Sequence, residues 1–351
     1  MADMFMEPPN IYLAVDVADF AFSPTADCLA LGLADNTLEL HRYSGEETRL
    51  TVQCPAQPRS LRLTRFAPSG TQLFCGSAGG LQLLDVQTGQ SVREGSSPGQ
   101  PFECCFVSEH ALAVCFDEGT LNVFDTRTFT PIYGSSLEQL GGAAETGNFF
   151  SALLPSRDRA LLFAPCSDGN LYTFDLRRPA AAADKLFART AGYDEELTAV
   201  AALEGQLVCG TSSGNLQLYK WGLFGQYVDR LPALAKEVGC LAAVDAETLA
   251  VANDDGRVRL WRFNPHRVCA LEPHAEDGEP LPIERIDVSR CRRILASIAH
   301  DRAVRFYDLT DLEAFEAAEG GEAGPFQQPR QVRAQMAGRE QRDFFEGLEG
   351  P

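Results

Sequence analysis

Seven times along the chain, a turn of small or acidic residues is followed by alternating apolar residues, often closed by an aromatic residue and Asp. The turns are Asp35-Asn36, Ala78-Gly79-Gly80, Asp117-Glu118-Gly119, Asp168-Gly169-Asn170, Ser213-Gly214-Asn215, Asp255-Gly256-Arg257 and Asp301-Arg302-Ala303. The first apolar residues after them are Leu38, Leu81, Leu121, Leu171, Leu216, Val258 and Val304, at intervals of 43, 40, 50, 45, 42 and 46. Upstream of each turn lies an apolar pair, a polar turn and a short apolar strand, as in Phe20-Ala21-Phe22-Ser23-Pro24 leading to Leu29-Ala30-Leu31-Gly32. Alternation of period two between Gly, Asp and Asn turns is the signature of hairpins. A repeat of this length with several strands per unit is that of a propeller blade.

The pattern predicts an all-β chain with one seven-bladed propeller over residues 10–310 and a disordered tail over 311–351. The prior from length alone, about 150 residues per domain, would have allowed two domains. A propeller must close its ring, and Ile11-Tyr12-Leu13, ahead of the first full repeat, is placed to supply the outer strand of the last blade. The units are WD repeats in loose form, with the Trp-Asp ending surviving as Trp261-Arg262, Phe124-Asp125, Phe174-Asp175 and Tyr307-Asp308. The turn aspartates Asp35, Asp117, Asp168 and Asp255 are expected to accept local backbone N–H bonds. His274, Ser297, Asp301 and Tyr307 match the hydrogen-bonded His–Ser–Asp–aromatic set that WD repeats use internally, a structural rather than catalytic role.

Charge narrows the function. With 30 basic against 49 acidic residues the net charge is −19, which opposes the counterion-releasing contacts that begin nucleic-acid binding. Direct nucleic-acid binding is therefore disfavoured. The 11 cysteines are scattered, with no CxxC pair, and are expected to be reduced, buried and structural. The first ten residues lack the apolar core of a signal peptide, and no apolar run is long enough to span a membrane. These features point to an intracellular protein.

Catalytic motifs fail one by one. Gly210-Thr211-Ser212-Ser213-Gly214 formally matches the nucleophile elbow, but that elbow needs a strand, a sharp turn and a helix, and the residues that follow alternate as a strand. There is no Gly-Lys dipeptide for a P-loop, and the five histidines lack metal-ligand spacing. No convergent titratable set is visible for the central channel. The expectation is no enzyme, no cofactor and no metal. Phe124-Asp125-Thr126-Arg127 and Phe174-Asp175-Leu176-Arg177 resemble the motif by which WD proteins dock on the adaptor of cullin-4 ubiquitin ligases; Arg127 and Arg177 would offer planar cationic forks to a partner's carboxylates. In the tail, Phe344, Phe345 and Leu348 sit together among acidic residues, suited either to fold back on the propeller or to anchor in a partner's groove. The long interval at Gly134 to Gly147 marks either a candidate contact loop or a disordered segment.

Residues 209–230 contain Trp221-Gly222-Leu223-Phe224-Gly225 followed by Asp229-Arg230, and the linker Asn264-Pro265-His266-Arg267-Val268 and tail run Asp343-Phe344-Phe345-Glu346-Gly347-Leu348 come later. Together these resemble the WD repeat-containing protein 55 family of nucleolar propellers. The resemblance implies a non-enzymatic scaffold in ribosomal RNA synthesis and ribosome assembly, monomeric within a larger complex. Its protein partners would be pre-ribosomal proteins or assembly factors. It implies residence in the nucleus and nucleolus, with the cytoplasm as an alternative. A cullin-4 substrate receptor is the competing role. The tail departs from the family: it has nine acidic residues, four arginines and no lysine, a charge of −5, where family tails carry lysine-rich clusters. The remaining −14 falls on residues 1–310, so a first contact with basic proteins is expected rather than with RNA.

Overall fold

The computed structural model describes residues 8–43, 47–54, 60–141, 147–178, 185–190, 195–232, 236–263, 266–271, 273–276 and 278–310. Seven four-stranded antiparallel sheets form the seven blades of a propeller. Blades 1 to 6 occupy 17–54, 61–95, 101–136, 154–189, 197–232 and 238–270 in unbroken chain order. Blade 7 takes three strands from 283–308 and its fourth from Ile11–Tyr12. A small hairpin, Ala275–Glu276 with Glu279–Pro280, lies between blades 6 and 7. The first strand of each blade touches the first strand of the next, and that of blade 7 touches that of blade 1, so these strands line a central channel. Because strands alternate in direction, the first-to-second and third-to-fourth connections share one face of the disc, here the lower face. The second-to-third connections form the upper face.

The repeat positions explain the packing. Leu38, Leu81, Leu121, Leu171, Leu216, Val258 and Val304 all lie in the third strand of their blades and none is more than 1% exposed. The apolar interior is divided into seven clusters, one at each junction between neighbouring blades. A blade is thus buried on both faces only when it has a neighbour on both sides. The turns are set by local chemistry: Gly256, at φ +74°, would carry a Cβ 2.7 Å from the carbonyl oxygen of His274, so only glycine fits the turn of blade 6.

The ring closes as the sequence suggests. Ile11 pairs with Val304 and Tyr12 with Ala303, and Leu13 N–H donates to the Arg302 carbonyl at 2.9 Å. Asn10 Oδ1 accepts from Phe306 N–H at 3.0 Å. Behind this strand, Phe22, Tyr43 and Phe306 pack ring on ring with centroids 5.4–6.5 Å apart, across the junction of blades 7 and 1. The Gly134–Gly147 interval resolves differently from a simple loop. Gly134 to Ser136 end the outer strand of blade 3, and Leu137 is buried at the junction with blade 4. Arg189 Nη1 then donates to the Leu140 and Gly141 carbonyls at 3.1 and 2.5 Å. Residues 142–146 lie outside the described residues.

Removing residues 1–15 opens the junction of blades 7 and 1 and strips Ile11 and its backbone bonds from the edge of blade 7. Burial of one such side chain contributes about 1.5–3 kcal/mol, so the thermal midpoint should fall by about 5 °C or more. A melting curve identical to that of the full chain would contradict closure by this strand.

Candidate functional site

The channel holds a cavity of about 750 Å³ lined by the first strands of all seven blades. A one-residue irregularity recurs in the first strand of six blades, between Val17 and Asp19, Leu61 and Leu63, Pro101 and Glu103, Leu197 and Ala199, Val238 and Cys240, and Ile283 and Arg285. Such a bulge re-aims the side chains that follow it. Asp19, Glu103 and Arg285 occupy corresponding positions just after it, and Arg65 lies two residues further along its strand.

These four side chains form a closed ring of ion pairs. Arg65 Nη1 lies 2.6 Å from Asp19 Oδ2, and Arg65 Nη2 lies 2.6 Å from Glu103 Oε1. Arg285 Nη1 lies 2.9 Å from Glu103 Oε2, and Arg285 Nε lies 3.3 Å from Asp19 Oδ1. Asp19 also accepts from Thr64 N–H at 2.7 Å, and Glu103 from Cys104 N–H at 2.9 Å. Blades 7, 1, 2 and 3 are thereby tied together through the axis. Burial alone would raise the Glu103 carboxyl, but Arg285 and Arg65 outweigh it and bring the group down to about 2. Asp287, one alternation along from Arg285, accepts from Phe22 N–H at 3.0 Å and from Val288 N–H at 2.8 Å. Burial dominates there and holds its carboxyl above the ordinary carboxylate value. The channel thus does contain a convergent titratable set, contrary to the sequence expectation. Its four main members neutralise one another and bond to each other, an arrangement that locks strands together.

The tetrad of blade 7 is assembled on the upper face. His274 is fully buried, with Nδ1 2.8 Å from Asp301 Oδ2 and Nε2 2.6 Å from Ser297 Oγ, and Ser297 Oγ lies 3.3 Å from Tyr307 Oη. Burial pushes the imidazole below its ordinary value, so the ring is neutral at pH 7. Opposite a carboxylate, its single proton belongs on Nδ1. Arg305 Nη2 adds a cation beside Asp301 at 2.9 Å. Asp301 is held below the ordinary carboxylate value because hydrogen bonds from and charge on His274 and Arg305 overcome its burial.

Three of the four turn aspartates brace their own turns: Asp35 accepts from Thr37 N–H at 3.0 Å, Asp168 from Asn170 N–H at 3.0 Å, and Asp255 from Arg257 N–H at 3.3 Å. Asp117 instead accepts from Gln100 N–H at 3.3 Å, at the entry to its blade.

Arg127 and Arg177 lie at equivalent lower-face turns and are each 66% exposed on their side chains. Each fork folds back on the aspartate two residues earlier. Arg127 Nε and Nη2 meet Asp125 at 2.9 and 2.6 Å, and Arg177 Nε and Nη2 meet Asp175 at 2.9 Å each. A partner carboxylate would have to displace an intramolecular one. The Trp-Gly-x-Phe-Gly run has a packing role: Phe224 is 2% exposed and stands edge-on to Phe163 of blade 4 at 4.9 Å, while Trp221 covers both rings at 5.6 Å. Gly210 to Gly214 form the end of one strand and the hairpin to the next, which leaves no elbow.

The nine cysteines with described side chains are free thiols, eight of them buried or half-buried. Cys291 is the exception, exposed because it sits in a lower-face turn rather than a strand. Phe344, Phe345 and Leu348 lie outside the described residues, as does the predicted tail as a whole. The ionic ring is what sequence reading missed. The available signal was an ionisable residue recurring at one register position of otherwise apolar first strands.

Comparison with known proteins gives a consistent picture. Residues 27–208, just over half the chain, match the family model for the nucleolar protein 10-like N-terminal domain, a β-propeller. The WD repeat-containing protein 55 homologues of Drosophila persimilis and Drosophila mojavensis are each 27% identical over 313 residues, covering 88% of this chain. The chain spans 59% and 58% of their respective lengths.

Replacing Glu103 by Gln leaves two arginines sharing one carboxylate and should cost about 3 kcal/mol in urea unfolding. The depressed Glu103 carboxyl contributes stability that is complete above its ordinary 4.5 and disappears as pH falls towards 2; the Gln variant should lack that part of the acid decline. Asp287 acts in the opposite sense and softens the decline. His274 is disfavoured as a cation in the fold, so stability should begin to fall as pH drops through its ordinary 6.5. A His274→Gln variant should be less stable at neutral pH yet show no such onset.

Proposed function

The chain belongs to the nucleolar protein 10-like family of N-terminal β-propellers, and from that membership we propose that it is a non-enzymatic scaffold for protein–protein contacts in nucleolar ribosomal RNA synthesis and ribosome biogenesis. The observation that carries this reading is a WD-repeat propeller similar to WD repeat-containing protein 55 homologues over 88% of its length. Physical features support it. The ionisable groups at the axis are spent on one another, and the tetrad histidine is buried and neutral. What the fold offers to other molecules is surface, and that surface belongs to a chain of net charge −19. Such a surface favours partners with basic faces, as ribosomal proteins have, over direct contact with the RNA backbone. Phe344, Phe345 and Leu348 are proposed as a further partner anchor in the tail.

A fluorescently tagged chain should concentrate in nucleoli, and affinity purification with mass spectrometry should recover pre-ribosomal proteins and assembly factors. Phe344→Ala combined with Phe345→Ala should reduce that recovery without moving the melting temperature. Recovery of a cullin-4 ligase adaptor in place of pre-ribosomal proteins, abolished by charge reversal at Arg127 and Arg177, would overturn the reading.

A further inference from the structure

The lower mouth of the channel has a charge opposite to that of the whole molecule. The charged side chains lining the cavity are six arginines and two acids, Glu103 and Asp287, in a chain whose overall balance is −19. Arg65 and Arg285 are consumed by the ionic ring described above, together with Glu103. Asp287 is occupied by two backbone N–H groups. That leaves Arg157, Arg159, Arg290 and Arg292.

These four come from the same connection in two blades. Ser156-Arg157-Asp158-Arg159 of blade 4 and Ser289-Arg290-Cys291-Arg292 of blade 7 follow the first strand and turn at the lower face. Arg159 and Arg292 hold the same left-handed conformation, at φ 55° and 57°, where blade 2 has Gly70 at φ 70°. Blades 4 and 7 are three places apart in a ring of seven, the widest separation available, so the two pairs face the mouth from opposite sides.

Their hydrogen-bonding capacity is largely unspent. The side chains of Arg157 and Arg159 make no hydrogen bond or ion pair among the described residues. Arg290 stands 3.6 Å from Asp27 with both groups about half exposed, and Arg292 donates once, to the Val244 carbonyl at 2.8 Å. Asp158, between the blade 4 pair, is turned to its own loop, accepting from Ser156 Oγ at 2.5 Å and Ala160 N–H at 3.1 Å.

We propose that this mouth is a binding site for a short acidic segment of a partner protein, gripped between the arginine pairs of blades 4 and 7. Guanidinium forks match carboxylates two bonds at a time. The site is a depression of about 750 Å³, sized for a few residues of peptide. A nucleic acid needs a long run of phosphate contacts and would be repelled by the acidic surface beyond the mouth. A short peptide stays within the roughly 8 Å over which the local positive charge acts at physiological salt. This site goes beyond the scaffold role proposed above, and its failure would leave that role standing.

The test uses the full chain and a fluorescein-labelled oligo-glutamate peptide, read by fluorescence anisotropy at physiological ionic strength. Oligo-glutamine and an oligouridylate of equal formal charge serve as comparison probes. Oligo-glutamate should bind, oligo-glutamine should not, and oligouridylate should bind more weakly than oligo-glutamate. Arg157→Glu combined with Arg290→Glu should weaken oligo-glutamate binding by at least about tenfold, the loss of one or two charge-assisted hydrogen bonds. Arg49→Glu combined with Arg93→Glu, on the outer strands of blades 1 and 2, makes the same change in net charge and should leave affinity within about twofold, since exposed charges so far away are screened. Bound oligo-glutamate should also protect Cys291, the exposed thiol between Arg290 and Arg292, from alkylation mapped by mass spectrometry. Should the double reversal fail to fold, Arg157→Gln, which removes a side chain without a partner, should still weaken binding measurably. The proposal is overturned if oligo-glutamate binds no better than oligo-glutamine, if both double reversals weaken it equally, or if oligouridylate binds more tightly.

Discussion

Everything in this molecule depends on the closing of a ring. Among the described residues the apolar interior is split into seven clusters at the blade junctions, so the apolar packing of each blade comes from its two neighbours. An open ring would leave two blade faces wet. Blade 7 is where the ring must close, because its outer strand is joined to the other three by hydrogen bonds and not by the chain, and interactions gather there and at the neighbouring junction with blade 1. Ile11–Tyr12 completes blade 7, Asn10 accepts from Phe306 N–H, the rings of Phe22, Tyr43 and Phe306 pack edge-on or tilted across the junction, and Asp287 reaches the backbone of Phe22.

The ionic ring at the axis reinforces the same seam from within. Arg285 of blade 7 bonds Asp19 of blade 1 and Glu103 of blade 3, and Arg65 of blade 2 bonds the same two carboxylates. Buried ion pairs gain little over apolar packing in free energy, because desolvation offsets attraction. Their geometry is nonetheless specific, since each guanidinium has one arrangement that meets both carboxylates. A role in fixing the register of blades 7, 1, 2 and 3 follows more directly from this geometry than a role in net stability. The cost is acid sensitivity, because the ring requires Glu103 to be ionised.

Much of this architecture was legible in the residues. The apolar position after each turn, from Leu38 to Val304, gave the blade count, and all seven positions are buried as a repeat requires. The pairing of Ile11-Tyr12 followed from the need of a ring to close. His274, Ser297, Asp301 and Tyr307 meet within hydrogen-bonding distance of their neighbours in the set. Less was legible at the axis. Asp19, Arg65, Glu103 and Arg285 are separated by up to 266 positions, and each looks like an ordinary ionisable residue in its own strand. The arginines of the Phe-Asp-x-Arg endings read as free forks, whereas the turn returns each to the aspartate beside it. The Trp-Gly-x-Phe-Gly run read as a mark of kinship and is also an aromatic staple between blades 4 and 5.

The sequence by itself determined the repeat, hence the blade, the number of blades and the closing strand, because period and turn chemistry are local and each unit states them again. Only the tertiary structure decided what meets at the axis and at its mouth. Circular closure brings first strands and their turns from distant units to one place, and a charge that is unremarkable in its own blade acquires a partner, or is left without one, according to what the other six blades present there. An acidic chain thus acquires a neutral ring at its centre and two arginine pairs at its mouth, a distribution that net charge alone does not show.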